Sequence, residues 1–295
     1  MAIKKNYIDA YNSEDTARAK STCLLLAQIL GKHMKNDLVI VGGIVPSLLF
    51  QDAEPDPVMG SHAGSNDVDL VLSLVILDDK QYTNVRDSLK SGDFAPDTKE
   101  PSGNLVRQRW RHAPSGALVD FLMPLVPSND QAGGALQDLE SDFAATTMLG
   151  LDLALQHRRH ITLVGKDLCD RSVTEEVPVC HPAVLVMLKA LAMADRDAYK
   201  DAYDLFFVLK ASSEGPDGLG KFLSGLRPHR ALDDMEKSLD SKFKTIDSAG
   251  PANVCAFLRI DTMELRGEVL AYANSFLDAY RASRRAESAI LPRQP

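Results

Sequence analysis

The stretch Gly64-Ser65-Asn66-Asp67-Val68-Asp69-Leu70 decides the fold that we predict for the first part of the chain. It is a turn of small residues that runs directly into an apolar strand carrying two carboxylates. Because side chains alternate between the two faces of a strand, Asp67 and Asp69 project from the same side. Mg²⁺ prefers oxygen ligands, so the pair predicts a divalent-metal site. The alternative is a turn cap followed by a surface acid.

A second short segment, Val41-Gly42-Gly43-Ile44, lies upstream and predicts a strand that ends in two glycines. Glycine lets a backbone approach a ligand closely, and the Ser65 hydroxyl can donate a hydrogen bond to a phosphate oxygen. Gly42, Gly43 and Ser65 are therefore the predicted phosphate-binding residues. Without the downstream acids, the two glycines would indicate only a strand-to-helix turn.

A third carboxylate, Asp120, stands alone within an apolar strand segment. An unpaired charge there would be costly, so Asp120 is predicted to complete the catalytic and metal-binding site with Asp67 and Asp69. The alternative is an ion pair with a buried arginine such as Arg107 or Arg109.

Charged residues also interrupt two apolar helical segments in the second part of the chain. Lys189 and Arg196 are seven residues apart and share a helix face, as do Asp201 and Asp204, which are three apart. A lone lysine in an apolar run either extends its ammonium group to the surface or binds an anion. The alternative is an interhelical salt bridge, for example between Lys189 and Asp204.

Composition limits the class of protein. The chain has 295 residues, a net charge of −8 and a pI of about 5.4, which argues against a surface that coats nucleic acid. Its four cysteines form no short-spaced pair, so neither a zinc site nor a disulfide framework is expected. No segment approaches the roughly 20 apolar residues of a membrane span, and no signal peptide is expected. We therefore expect a cytoplasmic protein without a membrane partner.

The predicted elements divide the chain near residue 180. We expect helices and strands over 1–180 and helices alone over 181–295, which makes an α+β protein with two domains. The predicted helices of the first domain are 13–34, 45–50 and 79–91, and its predicted strands are 37–41, 68–75, 104–111, 117–124, 151–156 and 161–164. The second domain is predicted to begin with helices 184–194 and 197–209.

Together these residues resemble a known family. The order Gly-Gly, then Gly-Ser-x-Asp-x-Asp, then an apolar-Asp-apolar strand is similar to the polymerase-β-like nucleotidyltransferase superfamily. The later cluster resembles the closing motifs of AbiEii-type nucleotidyltransferase toxins of bacterial toxin–antitoxin systems; it comprises Lys189, Arg196, Lys200, Asp201 and Asp204. The resemblance covers residues 38–209. It implies a nucleotidyltransferase domain with a mixed sheet, followed by a helical bundle domain that contributes Lys189 and Asp204 to the cleft.

The resemblance implies a role for each matching residue. These roles are triphosphate contact for Ser65, Mg²⁺ binding for Asp67 and Asp69, phosphate binding for Lys189 with Arg196, and an essential acidic role for Asp204 supported by Asp201. The implied reaction transfers a nucleotide from an NTP to the 3′ end of tRNA, releases diphosphate and blocks translation. The implied partner is a cognate antitoxin, which in some systems phosphorylates the motif serine, so Ser65 is a candidate regulatory position.

The sequence departs from the family pattern in three places. Residues 51–63 form an insertion between the glycines and the acids. The arginine that is often found two residues before the motif serine is replaced by Ala63, and the adjacent His62 is the candidate substitute. Lys200 stands where arginine is commoner.

If tRNA is the acceptor, cations and an aromatic ring should line the mouth of the cleft. The candidates are Arg107, Arg109, Trp110, Arg158 and Arg159, because an aromatic ring among arginines suits an unpaired 3′ end. The alternative for the first group is a row of arginines on the solvent side of a hairpin. Two other functions stay open: transfer to a small hydroxylated molecule such as an antibiotic, and nucleotide binding by a regulator without catalysis.

Overall fold

The computed structural model describes residues 7–73, 79–125, 134–196 and 198–290, with side chains omitted at 79–80 and 286–290. Within these ranges the chain forms two compact units. Unit 1 lies within residues 11–51 and 63–181, and unit 2 within residues 7–10, 52–62 and 182–290. None of the helices in the described ranges has the length and apolar character needed to cross a membrane.

The described residues of unit 1 form a nine-stranded mixed sheet. The strands are β1 Leu38–Val41, β2 Asp67–Leu72, β3 Phe94–Lys99, β4 Asn104–His112, β5 Leu118–Pro124, β6 Leu136–Glu140, β7 Phe143–Met148, β8 Arg158–Lys166 and β9 Ser172–Cys180. Seven strands follow the order β3-β4-β5-β2-β1-β9-β8, while β7 pairs with both β5 and β6. Strand β2 lies antiparallel to β1 and parallel to β5, so it occupies the middle of the sheet.

The apolar residues of the central strands explain why these segments are buried. All four residues of β1 are buried, and β2 buries its apolar positions while its two aspartates stay partly accessible. Trp110, Phe121 and Phe143 pack edge to face, with ring centroids 4.9–6.3 Å apart, and join β4, β5 and β7. Burying each such large apolar side chain stabilises the fold by roughly 1.5–3 kcal/mol.

The helices of unit 1 are α1 Ser13–Leu30, α2 Lys32–Asn36, α3 Val45–Leu49, α4 Asp79–Ser91 and α5 Leu151–Gln156. Helix α1 begins after Asn12, whose side chain accepts a hydrogen bond from the backbone N–H of Asp15 at 2.7 Å. It ends at Gly31, which has a positive φ of 50°. The single helix predicted over 13–34 is therefore divided into α1 and α2.

The described part of unit 2 contains six α-helices. They are α6 Pro182–Asp195, α7 Tyr199–Ala211, α8 Gly215–Ser224, α9 Arg230–Lys242, α10 Ala249–Leu258 and α11 Met263–Ile290. Helix α6 is buried along most of its length. The Ser238 hydroxyl on α9 donates a hydrogen bond to the Ala190 carbonyl of α6 at 2.6 Å. Helix α7 likewise buries residues 201–209, so α6 and α7 are interior elements of this unit.

Most of the predicted elements are confirmed, with shifts of one to three residues at their ends. One prediction is wrong: residues 151–156 form helix α5, because Leu151, Leu153 and Ala154 are buried together after the left-handed Gly150. Their alternation of apolar and polar residues imitates a strand. Strands β3, β6, β7 and β9 were not predicted. The strand predicted over 68–75 begins at Asp67, and its predicted end lies outside the described residues.

Candidate active site

Strand pairing places the three predicted carboxylates of unit 1 on one face of the sheet. Asp69 of β2 and Asp120 of β5 are direct neighbours in the parallel ladder. Asp67 precedes Asp69 by two residues and therefore projects from the same face. The row formed by Asp67, Asp69 and Asp120 is called the carboxylate row below.

An arginine lies within this row. Arg109 of β4 is the antiparallel neighbour of Asp120, and its Nε donates to Asp120 Oδ1 at 2.6 Å. Its Nη2 donates to the other oxygen of Asp120 and lies 3.7 Å from Asp67 Oδ2. Burial raises the pKa of the Asp120 carboxyl, and Arg109 offsets only part of that rise. The hydrogen bond to Asp120 raises the pKa of the Arg109 guanidinium.

In the structure, Asp120 of the predicted three-carboxylate metal site is paired with Arg109. In the part of the chain that the structure describes, no three histidine, cysteine, aspartate or glutamate side chains are grouped to hold a metal ion. Both oxygens of Asp120 accept hydrogen bonds from Arg109. The ion pair with a buried arginine, which the sequence left open as the alternative for Asp120, is therefore present. Asp67 and Asp69 form the remaining pair, and their oxygen donors fit Mg²⁺.

Gly42 provides the space that the Asp69 carboxylate occupies. It follows Val41, the antiparallel neighbour of Asp69, and has a left-handed φ of 77°. A Cβ atom at Gly42 would lie 1.9 Å from Asp69 Oδ2. Both the backbone conformation and the close approach therefore require glycine. Gly43 lies in the 3₁₀ turn that leads into α3.

We expect Gly42→Ala to destabilise unit 1 and to displace the Asp69 carboxylate. The left-handed backbone costs about 1–2 kcal/mol for alanine, and the collision adds about 1–3 kcal/mol. The matched control is Gly103→Ala, because Gly103 also has a positive φ, of 68°, but a Cβ atom there would meet nothing within 4 Å. Chemical denaturation of both variants measures the difference. Equal losses of unfolding free energy would show that the Asp69 contact contributes nothing.

Ser65 is hydrogen-bonded to the carboxylate row. Its hydroxyl donates to Asp67 Oδ1 at 3.0 Å, and the residue is buried. The preceding Gly64 has a φ of 84°, and a Cβ there would lie 1.7 Å from Thr16 Oγ1 on α1. The turn is therefore held tightly against α1, and Ser65 orients the Asp67 carboxylate.

A second group of charged residues lies wholly within unit 2 and is called the Asp204 cluster; it comprises His62, Lys189, Arg196, Lys200, Asp201 and Asp204. Lys189 Nζ on α6 lies 2.6 Å from Asp204 Oδ2 and 3.1 Å from Asp201 Oδ1, both on α7. The interhelical salt bridge that the sequence left open is therefore present. Arg196 makes two hydrogen bonds to Asp201, at 2.7 and 2.9 Å.

Asp204 accepts hydrogen bonds from several cluster members at once. Lys200 Nζ lies 2.7 and 2.9 Å from its two oxygens, a contact that their spacing of four residues on a helix could have suggested. Burial opposes ionisation of Asp204, but Lys189 and Lys200 outweigh it and hold the pKa far below its usual range. The pKa of Asp201 is lowered for the same reason by Lys189 and Arg196. Both carboxylates are therefore ionised.

His62 belongs to the Asp204 cluster. Its Nε2–H donates to Asp204 Oδ1 at 3.0 Å, since an ionised carboxylate can only accept. The ring stacks on Tyr203 with centroids 5.4 Å apart and meets the edge of Phe207 at 4.9 Å. The expectation that His62 replaces a nucleotide-binding arginine does not agree with this burial against Asp204.

Protonation of His62 is expected to destabilise the protein in acid. Burial lowers the pKa of His62 from 6.5 to about 4, against the opposing effect of Asp204 and with Lys200 and Lys189 nearby. Between these pH values the unfolded state binds more protons, so stability falls as pH falls, by at most about 3 kcal/mol. His62→Gln should flatten this slope, and His160→Gln, at an exposed position on β8, should not. The slope is measured as the free energy of unfolding at pH values between about 4 and 6.5. Equal slopes in wild type and His62→Gln would show that His62 is not the group responsible.

The candidate RNA contacts are mostly engaged within unit 1. Trp110 is fully buried and donates its indole N–H to the Arg107 carbonyl at 3.2 Å, so the expectation that it stacks on a base is wrong. The Arg107 guanidinium lies 2.8 Å from Asp138, and Arg109 is paired with Asp120. Arg158 is half-buried at the start of β8, and Arg159 Nη2 lies 2.7 Å from His181 Nε2.

The chain matches no protein-family model and no curated protein. Among solved structures, it is similar to the crystal structure of an antigenic nucleotidyltransferase-like protein from Paracoccidioides brasiliensis, with 17% sequence identity and a TM-score of 0.42. The similarity covers 84% of this chain and 99% of that chain. The function of this chain is therefore inferred from its own residues.

Proposed function

We propose that this chain is a Mg²⁺-dependent nucleotidyltransferase, which transfers NMP from an NTP to an acceptor hydroxyl and releases diphosphate. The observation that carries the proposal is the position of Asp67 and Asp69. They project from one face of β2, and Gly42 leaves room for the Asp69 carboxylate beside the turn that ends β1. Two oxygen donors next to a glycine turn suit a metal-bound triphosphate.

The residues of unit 1 divide the work in this proposal. Bound Mg²⁺ supplies positive charge that polarises the phosphoryl oxygens of the triphosphate. Asp67 and Asp69 hold the ion, and Ser65 fixes the orientation of Asp67 through its hydrogen bond. The backbone at Gly42 and Gly43 is assigned to the phosphate oxygens, because glycine adds no side chain of its own to the turn beside the Asp69 carboxylate.

The Asp204 cluster keeps, within the proposal, the roles that the family resemblance implies. Lys189 and Arg196 bind phosphate, Asp204 is the essential acid and Asp201 supports it. Three cations (Lys189, Arg196 and Lys200) face two carboxylates, so the cluster carries one net positive charge with His62 neutral. That excess is compatible with holding an anion.

The acceptor that we propose is the 3′ end of tRNA, with the chain acting as a cytoplasmic toxin that an antitoxin neutralises. These parts rest on the resemblance of the motifs. A small hydroxylated acceptor is the second candidate, favoured by the burial of Trp110 and by the ion pairs of Arg107 and Arg109. Because their side chains are buried or already ion-paired, these residues are less suited to binding an RNA end than the sequence suggested.

One experiment separates these functions. The protein is incubated with Mg²⁺, total tRNA and each α-labelled NTP in turn, and the products are resolved on a denaturing gel. Label in the tRNA band that is lost in Asp67→Asn, but kept in the surface variant Asp170→Asn, supports the toxin proposal. When a small hydroxylated molecule is added to the mixture, its labelling together with diphosphate release, without labelled RNA, supports a small acceptor. NTP binding without diphosphate release would overturn the enzymatic proposal and indicate a regulator.

A further inference from the structure

Arg109 is built into the carboxylate row by the pairing of three strands. Arg109 of β4 is the cross-strand neighbour of Asp120, and Asp120 of β5 is the neighbour of Asp69 on β2. Residues paired in this way share one face of the sheet. The guanidinium therefore lies beside the acids because the register of the sheet places it there.

The contacts of Arg109 occupy the oxygens that Asp120 would offer to a metal ion. Its Nε lies 2.6 Å from Asp120 Oδ1, and its Nη2 donates to Asp120 Oδ2. This is a bidentate ion pair, in which two parallel N–H groups donate to the two carboxylate oxygens. The same Nη2 lies 3.7 Å from Asp67 Oδ2, so the guanidinium also faces the predicted ion site.

The charges of these four residues indicate how many ions the row can take. Asp67, Asp69 and Asp120 contribute three negative charges and Arg109 one positive charge, which leaves two negative charges. One divalent cation neutralises that sum, whereas two would leave two positive charges packed together. Asp97, the other acid near Asp120, is itself paired with Arg111 at 2.9 Å and does not alter the balance.

We propose that Arg109 takes the place of a second cation in the carboxylate row. The row then binds one divalent ion through Asp67 and Asp69, and Asp120 is the counter-ion of Arg109. Nucleotidyl transfer in two-metal sites uses a pair of ions to stabilise the attacking and leaving oxygens. Here the guanidinium supplies one of those positive charges permanently. This inference rests on the proposed function for the ion at Asp67 and Asp69, and it adds the number of ions and the role of Asp120.

The number of bound ions tests the inference directly. The full-length protein is titrated with Mn²⁺ without nucleotide, and free Mn²⁺ is followed by electron paramagnetic resonance. Wild type should bind one Mn²⁺ per chain at the row, and Arg109→Gln should bind a second, because Asp120 becomes available. Arg111→Gln, two residues along the same strand and paired with Asp97, is the matched control and should still bind one.

A double variant keeps the test decisive if Arg109→Gln does not fold. Arg109→Gln with Asp120→Asn removes both charges of the pair and should still bind one Mn²⁺ with little change in affinity. Loss of that ion, by about tenfold or more in affinity, would show that Asp120 is a metal ligand and overturn the inference. Two ions or none in wild type, or one ion in a folded Arg109→Gln, would also overturn it.

The outcome is separable from that of the proposed function, because counting Mn²⁺ requires no turnover. If wild type binds one Mn²⁺ and Arg109→Gln binds two, but the protein transfers no nucleotide, the enzymatic proposal is wrong and the role of Arg109 stands. Conversely, if the protein transfers nucleotide but loses its ion when Asp120 is replaced, the enzymatic proposal stands and the proposed role of Arg109 is wrong.

Discussion

Lys189→Ala is expected to destabilise the protein by roughly 3–5 kcal/mol, because it leaves two buried carboxylates without their shared cation. Lys189 is only 9% exposed and lies 2.6 Å from Asp204 and 3.1 Å from Asp201. From the sequence alone, the same change is expected to abolish transfer with little effect on unfolding. Burial of the ion pairs replaces that expectation, and urea unfolding followed by circular dichroism measures the loss.

The matched control for this prediction is Lys237→Ala. The Lys237 side chain on α9 is 76% exposed and pairs with Asp234 at the surface, so its removal should change the unfolding free energy by less than about 0.5 kcal/mol. If both variants unfold at the same urea concentration, the cluster does not stabilise unit 2. A large loss for Lys189→Ala also means that lost activity alone cannot assign Lys189 to phosphate binding.

The positions of Asp67 and Asp69 could be predicted from sequence because the information is local. Strand alternation puts them on one face, and the apolar residues between and after them place that strand in the interior of the sheet. The proximity of Asp120 required a long-range pairing of β2 with β5. Its presence in an apolar strand indicated a special environment, but two solutions, a metal ion or an arginine, remove the cost of a buried charge equally well.

The choice of partner for Asp120 could not be read from the chain. Arg107, Arg109 and Arg111 alternate along β4 and differ only in register, which the pairing of β4 with β5 decides. The burial of Trp110, in contrast, could have been predicted from the sequence pattern of β4. Because Trp110 alternates with those arginines, it must project from the opposite face of the strand, where Phe121 and Phe143 pack against it.

The contacts of the insertion at residues 51–63 could not be predicted from local sequence patterns. Its polar, proline-containing sequence predicts only a loop. The structure joins it to the helices of unit 2 through Asp56, which lies 2.7 Å from Lys210, and through His62, which donates to Asp204. Contacts between residues about 150 positions apart leave no trace in hydrophobic periodicity.

Asp69→Asn is expected to reduce nucleotidyl transfer by about a thousandfold or more, while the unfolding free energy changes by less than about 1 kcal/mol. The amide has nearly the shape of the carboxylate and so still fits the space beside Gly42, but it removes the negative charge that holds the ion. A rate loss of that size corresponds to about 4 kcal/mol of transition-state stabilisation.

The measurements for Asp69→Asn are label transfer from NTP, Mn²⁺ affinity and chemical unfolding on the same preparation. Asp97→Asn is the control, because Asp97 lies in the same sheet on β3 and pairs with Arg111. It should keep its transfer rate and its bound ion. If Asp69→Asn transferred nucleotide at the wild-type rate, the ion could not be held by the β2 pair, and the proposed site would have to be abandoned. Loss of transfer together with loss of Mn²⁺, in a protein that unfolds like wild type, would instead tie the chemistry to this carboxylate.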